Sequence, residues 1–355
     1  MEAKFKKILL TGVNGFVGSH LLEYLLKEIK NDPQIKSVFG IEILCLLREE
    51  SKRKRNIECS DLNIKYKCIN YNEIDKLTDL FDEIEYIFHI AGVTKGMTRQ
   101  DFINGNVAPT ENILKALRQN LEQKPRNDEN KFKRFVYISS LAASGPSHTL
   151  ENPKKENDIQ TPIEFYGESK LLAEKVVEKY SKYIPTTIIR PSAVYGERDS
   201  DFLKIYKMIH NSLNLFYQNK ENYMSMIYVR DLVEGIIKAS LNDKCIGQTY
   251  NLTNFEIVQW KDFQNLIAKI FHKKFLITIN IPKFILKFLV VLGQFYTKIF
   301  HKKSILNKQK IKMSFQKYWI CSGEKAKKDF GFVAKTNLRD GLKKTLQYHF
   351  KEIYE

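Results

Sequence analysis

No aspartate, glutamate or arginine occurs between Phe263 and Gly323, a stretch of 61 residues. It holds twelve lysines and so carries +12 of the formal net charge of +17. The other 294 residues, with 46 basic and 41 acidic groups, are close to balance. A lysine-rich composition accounts for many lysines but not for the missing acids. Without arginine and without a recognisable nucleic-acid module, this segment is not read as a nucleic-acid surface. The five cysteines form no Cys-x-x-Cys pair, so no metal site or dithiol is expected. Cys45 and Cys68 fall in apolar runs and are read as small core residues in a reducing compartment. Met1–Lys7 is short and polar, and no signal peptide is expected. Repeats and low-complexity tracts are also missing. With 43% hydrophobic and 28% charged residues, the 355-residue chain reads as globular and cytoplasmic, with a sizeable core.

What is present begins at residue 8. Ile8-Leu9-Leu10 is followed by Gly12, Gly15 and Gly18, then by a helical-looking segment, Ser19–Ile29. Strand, glycine turn and helix open a dinucleotide-binding βαβ unit. The glycines allow a sharp turn, close approach of a pyrophosphate and close packing of the helix on the sheet. Further apolar runs follow at Ile41–Leu47, Ile64–Ile69, Tyr86–Ile90, Phe135–Ser139, Thr187–Ile189 and Gln248–Leu252. Helical segments alternate with them, as in an α/β doubly wound parallel sheet of the Rossmann kind. The expected division is a dinucleotide-binding domain over 1–190, to which the chain returns at about 225–252. A smaller substrate-binding region spans 191–224 and 253–355. Gln123–Lys131 and Pro146–Ile163 read as polar loops, the longer one bordering the site.

Tyr166 and Lys170, four apart at the start of a helix expected over Glu168–Tyr180, share a helical face. An ammonium beside a phenol lowers the phenol's pKa and suits it to acid–base work on a hydroxyl or carbonyl. Upstream, the strand Phe135–Ser139 runs into Ser140 at the carboxyl edge of the sheet, where open α/β sheets bind ligands. Ser140 is placed to donate a hydrogen bond to a reacting oxygen. The alternative for either serine is a strand-end hydroxyl that satisfies turn backbone.

At these residues the chain resembles the extended short-chain dehydrogenases/reductases, a family that includes epimerases and dehydratases, with leanings to its 3β-hydroxysteroid dehydrogenase and dihydroflavonol reductase-like branch. The resemblance covers about residues 5–255. It rests on Thr11-Gly12-Val13-Asn14-Gly15-Phe16-Val17-Gly18, His89-Ile90-Ala91-Gly92, Asn106-Val107, Tyr137-Ile138-Ser139-Ser140, Tyr166-x-x-x-Lys170 and Arg190-Pro191-Ser192-Ala193-Val194-Tyr195-Gly196. It implies a catalytic set of Ser140, Tyr166 and Lys170, with Lys170 also holding the nicotinamide ribose. It implies a cofactor site formed by Gly12, Asn14, Gly15, Phe16, Val17, Gly18, Asn70, Tyr71, Ala91, Gly92, Asn106, Pro191 and Val194. Thr94, Ser140, Tyr195 and Met224 are the implied substrate contacts, and a homodimer is common in the family.

Three finer expectations follow. Arg48, after the second strand, stands where an NAD enzyme usually carries an acid, and can pair with a 2′-phosphate. NADP is therefore the expected cofactor, NAD the alternative, with Glu49 or Glu50 available to the ribose. Members acting on nucleotide sugars usually place an arginine where Met224 stands, and Arg230 is read as a structural partner of Asp231. A basic apolar helix is expected over 281–300, opened by Pro282. Its uncharged run, Phe288–Thr297, has ten residues and is too short to span a membrane. It suits a peripheral membrane contact through 263–323, a lid over a greasy small-molecule substrate, or burial against the substrate region or a second copy. The leading functional expectation is hydride transfer between nicotinamide and a secondary alcohol or ketone, with a hydrophobic substrate. The alternatives are a nucleotide-sugar epimerase or dehydratase that recycles its cofactor, and a non-catalytic NADP-sensing protein.

Overall fold

A computed structural model describes residues 7–31, 42–47, 63–124, 131–217, 221–281, 285, 312, 313 and 315–351. The first half alternates strand and helix: β1 (Lys7–Thr11), α1 (Phe16–Asn31), β2 (Glu42–Leu47), β3 (Asn63–Cys68), α2 (Ile74–Leu80), β4 (Ile84–His89), α3 (Arg99–Phe102), α4 (Ala108–Gln123) and β5 (Arg134–Ile138). A π turn, Ile103–Val107, joins α3 to α4. Next come α5 (Leu141–Ser144), α6 (Phe165–Tyr180), β6 (Thr186–Pro191), β7 (Ala193–Tyr195), α7 (Leu203–His210), β8 (Leu213–Tyr217), β9 (Tyr223–Tyr228), α8 (Val229–Leu241) and β10 (Gln248–Leu252). The rest is β11 (Ile257–Gln259), α9 (Trp260–Ile270), β12 (Ile277–Ile281), β13 (Tyr318–Trp319), α10 (Glu324–Phe330) and α11 (Leu338–His349).

The seven strands expected from the sequence form one sheet in the order β10-β6-β5-β4-β1-β2-β3, every neighbouring pair parallel. The chain winds outward from β1 to β3, then returns to β4 and winds the other way. The order reverses between β1 and β4, and ligands bind at the carboxyl ends there. Period-two alternation explains why these strands read as continuous apolar runs. Ile8 and Leu10 face a core shared with Leu21, Leu25 and Ile236, while Leu9 faces Ile113, Leu114 and Val177 on the other side. Ala326 and Phe332, far along the chain, close the first of these cores.

β9 pairs with β7, β11 and β13 in a second sheet. A third core there gathers Tyr195, Tyr206, Tyr228, Phe263 and Leu342. β8 and β12 form a separate two-stranded sheet. The loop of 146–163 is not simply polar. Ser147 bridges to Tyr318 and Lys154 to Cys321, and the Lys154 ammonium is buried on the carbonyl of Ile159 at 2.8 Å.

Cys45 is buried as expected, but Cys68 is exposed, because β3 is the outer strand of the sheet and has solvent on one side. Cys59, Arg48, and nearly all of the expected helix 281–300 lie outside the described residues. Among the described residues, no helix is long and apolar enough to cross a membrane.

The glycine turn closes on itself. Gly12 has a φ of +77°, and Gly15 N donates to Gly12 O at 2.9 Å. A Cβ on Gly18 would collide with that same Gly12 carbonyl. Gly18→Ala is therefore expected to cost about 1–3 kcal/mol, as overpacking does. Urea unfolding of the two proteins measures it. Unchanged stability would show that the turn gives way.

Candidate active site

The carboxyl ends of β1 and β4 are tied together. Thr11 Oγ1 accepts from the amides of Ile90 and Ala91, each at 3.1 Å, and lies 2.8 Å from His89 Nδ1. His89 Nε2 lies 3.0 Å from Thr110 Oγ1, whose hydroxyl donates to the carbonyl of Asn106. The loop Ala91–Gly92 is thereby held against the glycine turn. Asn106 holds it from the other side. Its Oδ1 accepts from Val93 N at 2.6 Å, and its Nδ2 donates to Val93 O and Ser169 Oγ. Asn106, expected among the cofactor contacts, thus positions the loop. A Cβ on Gly92 would lie 2.9 Å from Asn106 Oδ1 and 3.6 Å from Lys170 Nζ, so this groove leads directly to Lys170.

These residues fit a dinucleotide. The exposed Gly15 opens the turn, α1 presents its first N–H groups there, and the buried Asn14 Nδ2 has no partner among the described residues.

Tyr166 lies in the first turn of α6. Glu164 caps that helix, accepting from Tyr166 N at 2.8 Å and Gly167 N at 2.6 Å. A Cβ at Gly167 would strike the carbonyl of Ala142, so only glycine lets α6 press against α5. That approach brings Tyr166 beside Ser140, whose hydroxyl is close enough to favour the phenolate. Ser140 also caps α5, accepting from Ala142 N at 3.1 Å, so the capping role and the reach to Tyr166 coexist. Lys170 Nζ donates to Ile138 O at 2.6 Å and stands over the Tyr137 ring, 4.6 Å from its centroid.

Burial sets the charge states. It pushes the Tyr166 phenol up to about 12, the neighbouring Ser140 hydroxyl pulling the other way. It brings Lys170 down to about 7, against the attraction of Glu174. The expected lowering of the tyrosine by the lysine is absent from this balance. A buried ammonium close to neutral is a weaker source of field than a fixed charge.

Behind Lys170 is a group that the sequence reading missed. Glu174, one turn further along the same helical face, is fully buried. It accepts from Arg190 Nε at 2.9 Å and Nη2 at 2.6 Å, and Ser139 Oγ donates to it. Arg190 Nη1 reaches the carbonyl of Glu156, whose carboxylate accepts from Asn251 N at 2.8 Å. The spacing of four from Lys170 was the available signal, a carboxylate on the face that Tyr166 and Lys170 bury.

The other expected contacts divide. Phe16, Val17, Pro191 and Val194 flank the glycine turn and the end of β6, with Phe16 packed edge-on to His20. Thr94 is exposed on the loop after Gly92. One residue on, Lys95 pairs at 2.8 Å with Asp201, which raises the pKa of Tyr166 and so stands close to it. Asn70 is exposed and makes an Asx turn, accepting from Asn72 N. Tyr71 is 5% exposed and belongs to the core. Tyr195 is not open to a substrate. It is 2% exposed, against Tyr228 and Gly341, because β7 turns its ring into the third core. Met224 is half-buried against that core, in register with Val258 and Trp319. Arg230 pairs with Glu197 at 2.9 Å rather than with Asp231, which instead accepts from Thr336 N and Oγ1.

A family model described as "NAD dependent epimerase/dehydratase family" matches residues 8–253. A Bacillus subtilis (strain 168) protein named "Uncharacterized UDP-glucose epimerase YtcB" is 27% identical over 280 residues, 76% of this chain and 83% of its own. The N-acetyl-alpha-D-glucosaminyl-diphospho-ditrans,octacis-undecaprenol 4-epimerase of Escherichia coli O157:H7 is 28% identical over 359 residues, 97% of this chain and 95% of its own. Among solved structures, UDP-glucuronic acid 4-epimerase from Bacillus cereus, in complex with NAD, superposes with a TM-score of 0.74 at 20% identity, covering 98% of this chain and 100% of that one. The last likeness is one of fold.

The state of Lys170 has a measurable sign. Its folded pKa of about 7 lies below the ordinary 10.5. Between those values the unfolded chain binds the extra proton, so stability rises with pH there. The stability of the wild type relative to Lys170→Met should therefore climb as pH rises from 7 towards 10, read by urea unfolding. A flat difference would mean that the ammonium is fully compensated.

Proposed function

The chain belongs to the NAD dependent epimerase/dehydratase family, and from that premise we propose that it epimerises a hydroxyl-bearing carbon of a sugar carried on a diphosphate, its nicotinamide dinucleotide being retained between turnovers. The observation that carries this reading is Tyr166 beside Ser140, with Lys170 one turn along the same helix and facing Gly92 of the groove. The names of the Bacillus subtilis and Escherichia coli relatives support the substrate class. No relative described above supports net hydride transfer on a hydrophobic alcohol or ketone, and the nucleotide-sugar alternative takes its place. Epimerase is favoured over dehydratase by the names of both relatives.

When bound, the nicotinamide supplies a hydride acceptor that becomes the donor for the return step. In its phenolate form, which the Ser140 hydroxyl favours against burial, Tyr166 takes the proton from the sugar hydroxyl as the carbonyl forms. It returns the proton to the same oxygen as the carbonyl is reduced, so one tyrosine serves both directions. Ser140 donates a hydrogen bond to that oxygen and holds it against the phenol. Lys170, held by Ile138 O, would hold the ribose of a bound dinucleotide and favours the phenolate whenever it is charged.

Tyr166→Phe should lower turnover by about 10²- to 10⁴-fold, the usual contribution of a positioned acid–base group, with dinucleotide affinity nearly unchanged. NMR of a UDP-hexose incubated with the wild type should show the epimer without net change in reduced nicotinamide. Stoichiometric accumulation of reduced cofactor would return the reading to an oxidoreductase.

NADP is the finer form of the cofactor proposal and rests on Arg48, while the family description and the NAD held by the Bacillus cereus neighbour support NAD. If Arg48 reads a 2′-phosphate, NADP binds more tightly than NAD. Arg48→Ala then weakens NADP by about tenfold or more, the loss of a charge-assisted hydrogen bond. Equal affinities in the wild type, read by calorimetry, would assign NAD.

A further inference from the structure

The two-stranded sheet of β8 and β12 stands apart from the other sheets, and neither strand carries a charged residue, their sequences being LNLFY and ITINI. Water meets apolar side chains there. Phe275, just before β12, is 70% exposed, Ile277 57% and Ile279 44%. Ile277 and Ile279, two apart on a strand, share a face. A bare apolar edge strand is a liability that proteins usually blunt or cover.

The charges around this edge have one sign. Lys269 and Lys274 are exposed just before β12, and Lys207 is exposed on α7 just before β8. The next acid after β8, Glu221, is taken by Lys317 at 3.0 Å. No acid occurs from Phe263 to Gly323. An ordinary solvated face mixes both signs. Apolar side chains flanked along the chain by exposed lysines match an anionic bilayer, whose surface attracts the ammonium groups while the interface takes up the apolar tips. A second copy of the chain fits poorly, since pairing two such edges would bring two lysine collars together. Nucleic acid would meet hydrophobic tips rather than stacking platforms or arginine forks.

We propose that the β8–β12 edge docks this protein on an anionic membrane surface. Resting on the epimerase reading, the proposal places that reaction at the bilayer surface, through a contact peripheral to the bilayer.

The test is co-sedimentation of the full-length protein with phosphatidylglycerol/phosphatidylcholine vesicles and with phosphatidylcholine vesicles alone. Binding is expected to the anionic vesicles only, and to fall by at least about tenfold from low to high salt as the lysine collar is screened. The double variant Phe275→Glu, Ile277→Glu alters two exposed side chains outside the Ser140/Tyr166/Lys170 set. It should lose vesicle binding by a similar factor and keep its activity on a soluble UDP-hexose. Equal binding to both vesicles, no binding to either, or undiminished binding by a folded double variant would overturn the proposal. So would a dimer, found by sedimentation velocity, that the variant dissociates without any vesicle binding. Vesicle binding without epimerisation of any sugar would leave the docking surface standing and remove the functional reading. Epimerisation of UDP-hexose without vesicle binding would do the reverse.

Discussion

The pair formed by Glu174 and Arg190 is the constraint around which the site is built. Both side chains are cut off from water, with 0% and 3% of their surface exposed. Such a pair is a weak source of net stability, because desolvating two ions costs about what their attraction returns. Its value lies in what it fixes. Glu174 belongs to α6 and Arg190 to β6, and Ser139 ends β5 on the same carboxylate. Three elements therefore meet at one buried point, one helical turn behind Lys170. An unpaired charge left there would be far more costly than either side chain's packing, so α6 has one acceptable rotation and depth.

From that point outward the site follows by contact. α6 is pressed onto α5 at Gly167 and its first turn is closed by Glu164, which sets Tyr166 beside Ser140. On the opposite bank Thr11, His89 and Asn106 hold the loop that carries Gly92. The two banks meet where Gly92 faces Lys170. Neither bank supplies the chemistry alone. One has the glycine turn on which many sheets hold a dinucleotide, and the other offers a tyrosine whose phenol is raised by burial and lowered by Ser140.

The sheet was legible because its inner strands are buried on both faces, so that apolar residues run on without polar interruption and survive any uncertainty about neighbours. Ile8, Leu9 and Leu10 show this directly, with no exposed surface and opposite partners. The placement of Tyr166 and Lys170 on one helical face, and of Ser140 at a strand end, was legible for a different reason, since each rests on local spacing. What could not be read depends on partners far away in sequence. Cys68 sits in an apolar-looking run but on the outermost strand, and nothing local says which strand is outermost. Tyr195 follows a motif that borders ligand sites in similar folds, yet its ring turns towards α11, which is formed nearly 150 residues later. Arg230 stands beside Asp231 in the chain and binds Glu197 instead. The pKa of Lys170 was also out of reach, because spacing says nothing about dehydration.

The stitching of Ser147 to Tyr318 and of Lys154 to Cys321 bears on how the chain is made. A ribosome releases the chain from its amino end, and domains generally fold as units in that order. The loop that leads into α6 has no strand to pair with until about 170 more residues have been added, as the separation of Ser147 from Tyr318 requires. Through that interval Lys154 and Glu156, both buried in the finished protein, wait for their cover. A chain halted before β13 would hold the glycine turn and the tyrosine, but not the clasp that closes the path between them.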